Sequence, residues 1–224
     1  MQWEEDNQED TIPTPDRVVD LSFAIQCKAL PVDHAWALFS AISERLPWLK
    51  NDPVAGIHPL HVAESAHGWQ RPEEPDALLH LSRRTRLVLR LPQERIDDAK
   101  QLQGAMLSIA NHAMQVGEAT ILSLSRSSAL FARRVVIHED ETEEPFLQRM
   151  LDELSALDVH PKKLLPGLSH SLRTPDEVIC TRLLSIDGMQ MEEAFRLQEK
   201  GLGEYRYLGC GIFIPHKPLS TAKI

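Results

Sequence analysis

The chain has 224 residues and carries 33 acidic against 24 basic side chains, a formal net charge of −9. Its length allows one large domain or two small ones, and the lack of a long apolar run argues against a membrane span or a secretory signal. Cys27, Cys180 and Cys210 are odd in number and far apart, which predicts reduced thiols in a cytoplasmic protein rather than a disulfide framework.

The negative charge is concentrated in two segments and does not exclude a nucleic-acid partner. Residues 1–16 hold six acids and residues 139–144 hold five, and neither segment contains a lysine or an arginine. Without these eleven acids the remainder carries 22 acidic and 24 basic side chains. Because RNA binding depends on local positive patches, the composition argues against a non-specific nucleic-acid coat and leaves a site-specific binder open.

The first half of the chain predicts the order strand, helix, strand, strand, helix, strand. Residues 1–16 combine acids with threonine and proline, which predicts a disordered tail. Hydrophobic periodicity then predicts strands at 18–30 and 56–63, a strand or pair of strands at 77–81 and 84–91, and a hairpin formed by 106–112 and 114–124. It also predicts one helix at 32–46, which Pro31 precedes, and another at 92–102. This βαββαβ order is typical of a ferredoxin-like domain.

The second half repeats the order. Strands are predicted at 130–138, 159–165, 178–186 and 210–214, helices at 145–157 and 189–200, and a loop at 166–175. The sequence therefore predicts an α+β fold of two tandem ferredoxin-like (RRM-like) domains, at 17–127 and 128–217, with a short tail at 218–224.

The stretch KGLGEYRYLGCGIFIPHK, residues 200–217, holds four of the ten glycines and lies between the last predicted helix and strand. A dinucleotide-binding loop has the opposite order, strand before helix, and a P-loop ends in Gly-Lys-Ser/Thr, so both nucleotide-binding interpretations are weak. A helix C-cap followed by a tight turn explains Gly201 alone. The other three glycines allow a backbone that approaches a ligand closely and forms an anion site.

Residues 198–215 resemble the C-terminal glycine-rich loop of the CRISPR-associated repeat endoribonucleases, the RNA-processing branch of the repeat-associated mysterious protein (RAMP) superfamily. The resemblance implies that the loop lies where two ferredoxin-like domains meet and helps to hold the RNA backbone. It also implies a catalytic histidine in or beside the first helix, where His34 is the only histidine.

His34 is predicted in the first turn of that helix, where an exposed imidazole beside Asp33 could act as a general base or acid. Its position alone fits an ordinary surface histidine, and the resemblance shifts the balance toward catalysis. His61, on the second predicted strand, is the reserve candidate. The spacing of His58, His61, Glu64 and His67 matches no common metal-ligand pattern, so no metal and no cofactor are expected.

Basic residues cluster twice. Alternation places Arg84, Arg86 and Arg90 on one face of a strand, which is either a solvated face or an RNA contact. A second cluster flanks the predicted loop at 166–175, and two strands around such a loop would form a basic hairpin able to contact an RNA stem. The expected RNA-binding residues are Arg84, Arg86, Lys162, Lys163, His170, Arg173, Gly201, Gly203, Arg206, Gly209, Gly211 and Lys217.

Three functions follow from these features. The first is a metal-independent endoribonuclease that cuts CRISPR repeat RNA by attack of its own 2′-OH, leaves a 2′,3′-cyclic phosphate and a 5′-OH, and stays bound to the 3′ hairpin. Its second catalytic group is not assigned. The second is a non-catalytic repeat-binding subunit of a CRISPR surveillance complex, with other subunits of that complex as partners. The third is a protein scaffold that binds no RNA.

Overall fold

The computed structural model of the chain describes residues 17–62, 74 and 76–216. In the N-terminal half the elements are β1 (Val18–Gln26), β2 (Ala29–Pro31), α1 (Ala35–Ser43), β3 (Gly56–Ile57), β4 (Leu78–His80), β5 (Arg86–Pro92), α2 (Ile96–Ala99), β6 (Met106–Ile109) and β7 (His112–Leu122). In the C-terminal half they are β8 (Leu130–Val136), α3 (Glu143–Ala156), β9 (Lys163–Arg173), β10 (Val178–Asp187), α4 (Met191–Lys200) and β11 (Phe213–Pro215).

Two antiparallel sheets carry these strands. Within the described residues the first sheet has the order β3-β5-β1-β7-β6 and the second has the order β11-β8-β10-β9. In each half the first and third strands of the βαββαβ unit lie in the centre, with the second and fourth strands outside them. The predicted α+β fold of two ferredoxin-like units is confirmed. The boundary between residues 127 and 128 stays a prediction.

Several predicted elements differ in extent from those observed. The strand predicted at 18–30 breaks after Gln26, and its last part, β2, pairs with β4 in a separate ribbon. The strand predicted at 56–63 is regular only over Gly56–Ile57, because the following residues approach Pro59, which has no N–H for the ladder. The helices predicted at 32–46 and 92–102 shorten to nine residues in α1 and to one turn in α2, which has 3₁₀ turns on both sides.

The loop predicted at 166–175 is mostly strand. β9 runs through Pro166 and Gly167 to Arg173, and the reversal is confined to a tight turn in which the Thr174 N–H donates to the Glu177 carbonyl at 2.9 Å. β9 pairs with β10 on one side only in the described sheet, so Pro166 can lie in it without the loss of a ladder hydrogen bond. The result is a long β9–β10 hairpin.

The far end of this hairpin packs on the N-terminal domain. Leu172 and Ile179 are 0% and 4% exposed and belong to the hydrophobic core around β1, β5 and α1, not to the core of their own sheet. Burial of such a side chain contributes about 1.5–3 kcal/mol. The hairpin therefore holds the two domains together beside α1.

A buried arginine joins the domains at a second place. Arg90 is 1% exposed, and its guanidinium binds both carboxylate oxygens of Asp20 at 2.8 and 2.9 Å. Its Nη1 donates to the carbonyls of Gln198 and Phe213 at 3.0 and 2.7 Å. The expectation that Arg90 shares an outer face with Arg84 and Arg86 is wrong, because this face of β5 is covered by α4 and β11.

His58 completes this buried cluster. Its Nε2 lies 3.1 Å from Asp20 Oδ1. Burial lowers the pKa of His58 more than Asp20 raises it, so the ring is neutral and donates from Nε2. Burial acts to raise the pKa of Asp20, but His58 and Arg90 outweigh it and hold the pKa well below its ordinary value.

Candidate nucleic-acid interface

His34 lies immediately before α1, at its N-cap. Its carbonyl accepts the N–H of Leu38 at 2.8 Å, and its ring Nδ1 lies 2.8 Å from the carbonyl oxygen of Pro31. A carbonyl only accepts, so Nδ1 carries a proton in this contact, and in the neutral form of the ring Nε2 is the basic nitrogen. The ring is 2% exposed, which corrects the expectation of an exposed imidazole in the first helical turn.

The tip of the β9–β10 hairpin reaches the residue next to His34. Asp33 Oδ2 accepts from the backbone N–H of Arg173 at 2.9 Å and from its Nε at 3.1 Å. Arg173 Nη2 donates to Asp76 Oδ1 at 2.7 Å. Arg173 is itself exposed, while the Asp33 side chain is only 6% exposed. A predicted RNA-binding cation is thus placed beside the candidate catalytic histidine.

The same hairpin turn also contacts the glycine-rich loop. Tyr205 Oη donates to Glu177 Oε1 at 2.7 Å, and this hydrogen bond raises the pKa of Tyr205 to about 12. Tyr205 has φ +59° and ψ 36°, a left-handed conformation that is uncommon for a residue with a side chain. Segments from both halves of the chain therefore converge next to His34.

An aromatic row connects α1 directly to the loop. The rings of Trp36 and Phe39 lie 5.6 Å apart, those of Phe39 and Tyr207 4.5 Å, and those of Tyr205 and Tyr207 5.9 Å. Aromatic pairs at these distances stabilise a contact beyond their buried area. The helix that His34 caps is consequently packed against the glycine-rich loop, as the sequence resemblance implies.

The loop glycines make the loop compact. A Cβ on Gly201 would collide with the Arg206 guanidinium, and a Cβ on Gly211 would collide with the carbonyl oxygen of Leu202. Both glycines have a positive φ, at +67° and +64°. Their role in this structure is to let parts of the loop approach each other.

The amides of all four predicted loop glycines already have protein acceptors. Those of Gly201, Gly209 and Gly211 donate to carbonyls at 2.7–2.9 Å, and that of Gly203 donates to a carboxylate oxygen of Glu153 at 2.9 Å. Gly201, Gly209 and Gly211 are also buried. This corrects the prediction of a phosphate site made from their free N–H groups.

Arg206 is buried and stabilises the loop through hydrogen bonds to the backbone. It is 8% exposed, and its Nε and both Nη atoms donate to the carbonyls of Val54, Glu199, Lys200 and Gly211. Burial, with a smaller contribution from Arg90, lowers its pKa to about 10, so it stays charged at neutral pH. The predicted direct RNA contact of Arg206 is wrong in this arrangement, because its donors bind the backbone.

The other predicted cations do not form one cluster. Lys162 and Lys163 lie at the start of β9, and Arg173 lies at its end. At about 3.3 Å per residue, the ten steps of β9 separate Lys163 from Arg173 by roughly 33 Å. His170 and Arg173 are exposed toward the His34 end of the hairpin, and the lysines occupy the opposite end.

Three predicted residues lie elsewhere. Arg84 and Arg86 are exposed in and just after the turn that leads into β5. His61 is half-buried in irregular chain after β3. Lys217 lies outside the described residues, as do Glu64 and His67 of the histidine-rich stretch. The described residues contain no group of three or more histidine, cysteine, aspartate or glutamate side chains suited to a metal ion.

The sequence prediction missed Arg134. It lies on β8 and is 9% exposed; burial lowers its pKa, and the nearby Asp33 carboxylate acts in the opposite direction. Its carbonyl accepts the Gly211 N–H at 2.7 Å. A signal was present, because Arg134 has the same strand parity as the buried Leu130 and Ala132 and therefore points inward. Asp33 thus binds Arg173 directly and also stabilises the charge of Arg134.

Comparison with known proteins agrees with this architecture. The chain is 17% identical to a solved Cas6-related protein of Pyrococcus furiosus, with a TM-score of 0.58, and the match covers 88% of this chain and 97% of that one. A solved structure described as a RAMP protein binding different RNA substrates has the same identity and TM-score, with 88% and 98% covered. At this identity the two structures support the fold class alone, two tandem ferredoxin-like domains.

Sequence comparison is more specific. The family model described as Cas6 Crispr matches residues 19–218. A CRISPR-associated endonuclease Cas6 of Myxococcus xanthus (strain DK1622) is 32% identical over 197 residues, which is 88% of this chain and 81% of that protein. The chain therefore belongs to the Cas6 family, and the resemblance inferred from its glycine-rich loop is confirmed. In the described part of the chain, no helix is long and apolar enough to cross a membrane.

Proposed function

We propose that this chain is an endoribonuclease that cleaves CRISPR repeat RNA without a metal ion, by attack of the 2′-OH on the adjacent phosphate. Membership of the Cas6 family supports RNA processing, and a 32% identical relative is named an endonuclease. The observation that carries the mechanism is the placement of His34 at the start of α1, where its Nδ1 contacts the Pro31 carbonyl and the hairpin tip binds the adjacent Asp33.

The chemistry needs few groups from the protein. His34 Nε2 takes the 2′-OH proton, the 2′-oxygen bonds to phosphorus, and the bond from phosphorus to the 5′-oxygen breaks. The leaving oxygen takes a proton from an acid or from water. The products are a 2′,3′-cyclic phosphate and a 5′-OH. General acid–base catalysis of this kind contributes about 10²–10⁴-fold in rate.

Arg173 is the cation best placed to neutralise the scissile phosphate. Its guanidinium is held at the hairpin tip by Asp33 and by Asp76, which is itself 89% exposed at its side chain. A phosphate can displace an exposed carboxylate such as Asp76, because solvent and salt screen a surface ion pair of this kind. The buried bond to Asp33 would keep Arg173 next to His34 during this exchange.

The burial of His34 favours a second candidate function. A ring that is 2% exposed cannot reach an RNA hydroxyl unless the hairpin tip or the start of α1 moves. If that movement does not occur, the chain binds repeat RNA as a non-catalytic subunit of a CRISPR surveillance complex. The hairpin cations serve binding in either case.

A His34→Ala variant separates the two functions. We expect its single-turnover cleavage of hairpin repeat RNA to fall about 10²–10⁴-fold, with RNA affinity within about twofold of wild type. His160→Ala is the matched control, because His160 is exposed and hydrogen-bonded to Glu193 on the surface, away from the hairpin tip. Unchanged cleavage in His34→Ala would transfer the catalytic role to His61, whereas RNA binding without any cleavage by the wild-type chain would support the binding function.

A further inference from the structure

A second basic surface lies at the end of β1, apart from the hairpin tip. A cleft of about 1150 Å³ opens there between the turn before β5 and the turn between β6 and β7. Lys28, Arg83 and Arg86 line one side, and Asn111 and His112 line the other. No aspartate or glutamate is among the described residues that line this cleft, although the chain as a whole carries a net charge of −9.

Two of the cations on the first side, Arg83 and Arg86, belong to a hydrogen-bonded turn. The Thr85 N–H donates to the Ser82 carbonyl at 3.0 Å, and the Ser82 N–H donates to the Thr85 hydroxyl at 3.2 Å. Arg86 Nη1 donates to the carbonyls of Arg83 and Thr85 at 2.9 and 3.1 Å, which fixes the guanidinium and leaves its Nη2 edge for an anion. A pre-organised cation loses less side-chain entropy on binding.

None of these cations is neutralised by an acid. Among the described residues, neither Lys28 nor Arg83 nor Arg86 forms an ion pair, and all three are exposed. Burial raises the pKa of the neighbouring Cys27 thiol, which donates to the Ala29 carbonyl and so adds no negative charge. The cleft therefore presents uncompensated positive charge to a ligand.

We infer that this cleft binds the unpaired RNA that flanks the repeat hairpin, with Lys28, Arg83 and Arg86 on its phosphates. The volume exceeds that of a typical small-molecule pocket, about 300–1,000 Å³, so it accommodates more than one nucleotide. A concave cleft between two turns admits one strand, whereas a duplex needs a broad outer surface. Its apolar walls, which include Ile25 and Leu81, suit the faces of unstacked bases.

The position of the cleft relative to His34 supports a single continuous RNA path. Lys28 precedes β2 and His34 follows it, and six residues of extended chain span at most about 20–22 Å. One RNA strand can therefore occupy the cleft and reach the hairpin tip. This inference rests on the proposed function in that it takes repeat RNA as the ligand, and it extends that function to the unpaired part of the RNA.

The test uses an Arg83→Gln/Arg86→Gln double variant of the whole chain and three RNAs: the repeat hairpin alone, and the hairpin with a short unpaired flank on its 5′ or its 3′ side. Each phosphate contact to a single strand contributes about 0.7 to the slope of log affinity against log salt, so the slope for one flanked RNA should fall by about 1.4. The same arithmetic predicts about 25-fold weaker binding of that RNA at 0.1 M salt. Binding of the hairpin alone should change less than twofold.

Lys100→Gln/Arg196→Gln is the matched control, because it removes the same two charges from helical surfaces where both side chains already pair with acids. Equal weakening of all three RNAs by the cleft variant, or no weakening, overturns the inference. The inference is also overturned if the cleft variant loses affinity for inorganic phosphate but binds the flanked and unflanked RNAs as the wild type does. That result would indicate a site for small anions. If the cleft does not bind flanking RNA, the outcome of the His34→Ala experiment is unaffected. Unchanged cleavage by His34→Ala refutes the proposed mechanism, whatever the cleft binds.

Discussion

Replacement of Arg90 with methionine tests whether this buried, ion-paired arginine joins the two domains. Methionine keeps an apolar stem of similar length but has no donors, so Asp20 loses N–H partners at 2.8 and 2.9 Å, and the carbonyls of Gln198 and Phe213 lose theirs at 3.0 and 2.7 Å. Removal of one partner from a buried ion pair costs about 3–5 kcal/mol. We expect the free energy of unfolding, measured by urea denaturation, to fall by about that amount.

The pH dependence of stability provides an independent readout of the same pair. The folded pKa of Asp20 lies below its ordinary value, which is about 3.9. The carboxylate therefore contributes stability that is fully present above that value and is lost as the pH falls toward the folded pKa. Wild-type stability should decrease on acidification below about pH 4–5, and an Asp20→Asn/Arg90→Met double variant should lack this component.

Arg196→Met is the control, since Arg196 pairs with Asp158 on the surface, where both side chains are at least 40% exposed. Its cost should stay within about 1 kcal/mol. A loss below about 1 kcal/mol in Arg90→Met would refute the view that Arg90 carries the domain contact. An unchanged acid profile in the double variant would refute the contribution assigned to the Asp20 carboxylate.

Three further predictions concern the hairpin and the loop. Gly203→Ala should lower the free energy of unfolding by about 1 kcal/mol, because Gly203 has a positive φ. Gly211→Ala should lower it by more, because Gly211 also has a positive φ and its added Cβ would collide with the Leu202 carbonyl oxygen. Equal shifts of the melting temperature in the two variants would contradict this. Arg173→Gln should weaken hairpin RNA binding at 0.1 M salt about five- to eightfold, as one lost phosphate contact predicts, and an unchanged salt slope would argue against the contact. Spectrophotometric titration should show less phenolate at pH 10 than two free tyrosines would give, because the pKa of Tyr205 is raised to about 12 and that of Tyr207 is also raised. Glu177→Gln should move one transition toward the ordinary value near 10, and an unchanged titration curve would contradict the role of Glu177.

The fold could be predicted from the sequence because its determinants are local. Apolar alternation in β1, β5 and β8 and the helical period of α3 and α4 appear directly in the residue order, and the βαββαβ order restricts the topology. Where the prediction failed, tertiary context decided the outcome. Pro166 indicates a loop by its chemistry, yet it lies in a strand because only one side of β9 is paired in the described sheet.

The site was less predictable because residue type does not reveal which groups a side chain contacts. Arg206 and Arg173 are both arginines next to glycine- or serine-rich chain. Arg206, however, is buried and donates to four backbone carbonyls, whereas Arg173 lies exposed beside Asp33. Likewise, the packing of Leu172 and Ile179 on the other domain depends on residues of the N-terminal half of the chain. Helical position predicted His34 at the start of α1, but not its burial.

The most direct test of the proposed mechanism changes the RNA and leaves the protein intact. A repeat hairpin with a single 2′-deoxy sugar at the scissile nucleotide keeps every phosphate and every base but lacks the nucleophile that His34 is proposed to activate. We predict that it binds with the affinity of the all-ribose RNA and is not cleaved, whether or not a chelator is present. Cleavage of the deoxy-substituted RNA at the same phosphate, or loss of cleavage of the all-ribose RNA on chelation, would contradict the account.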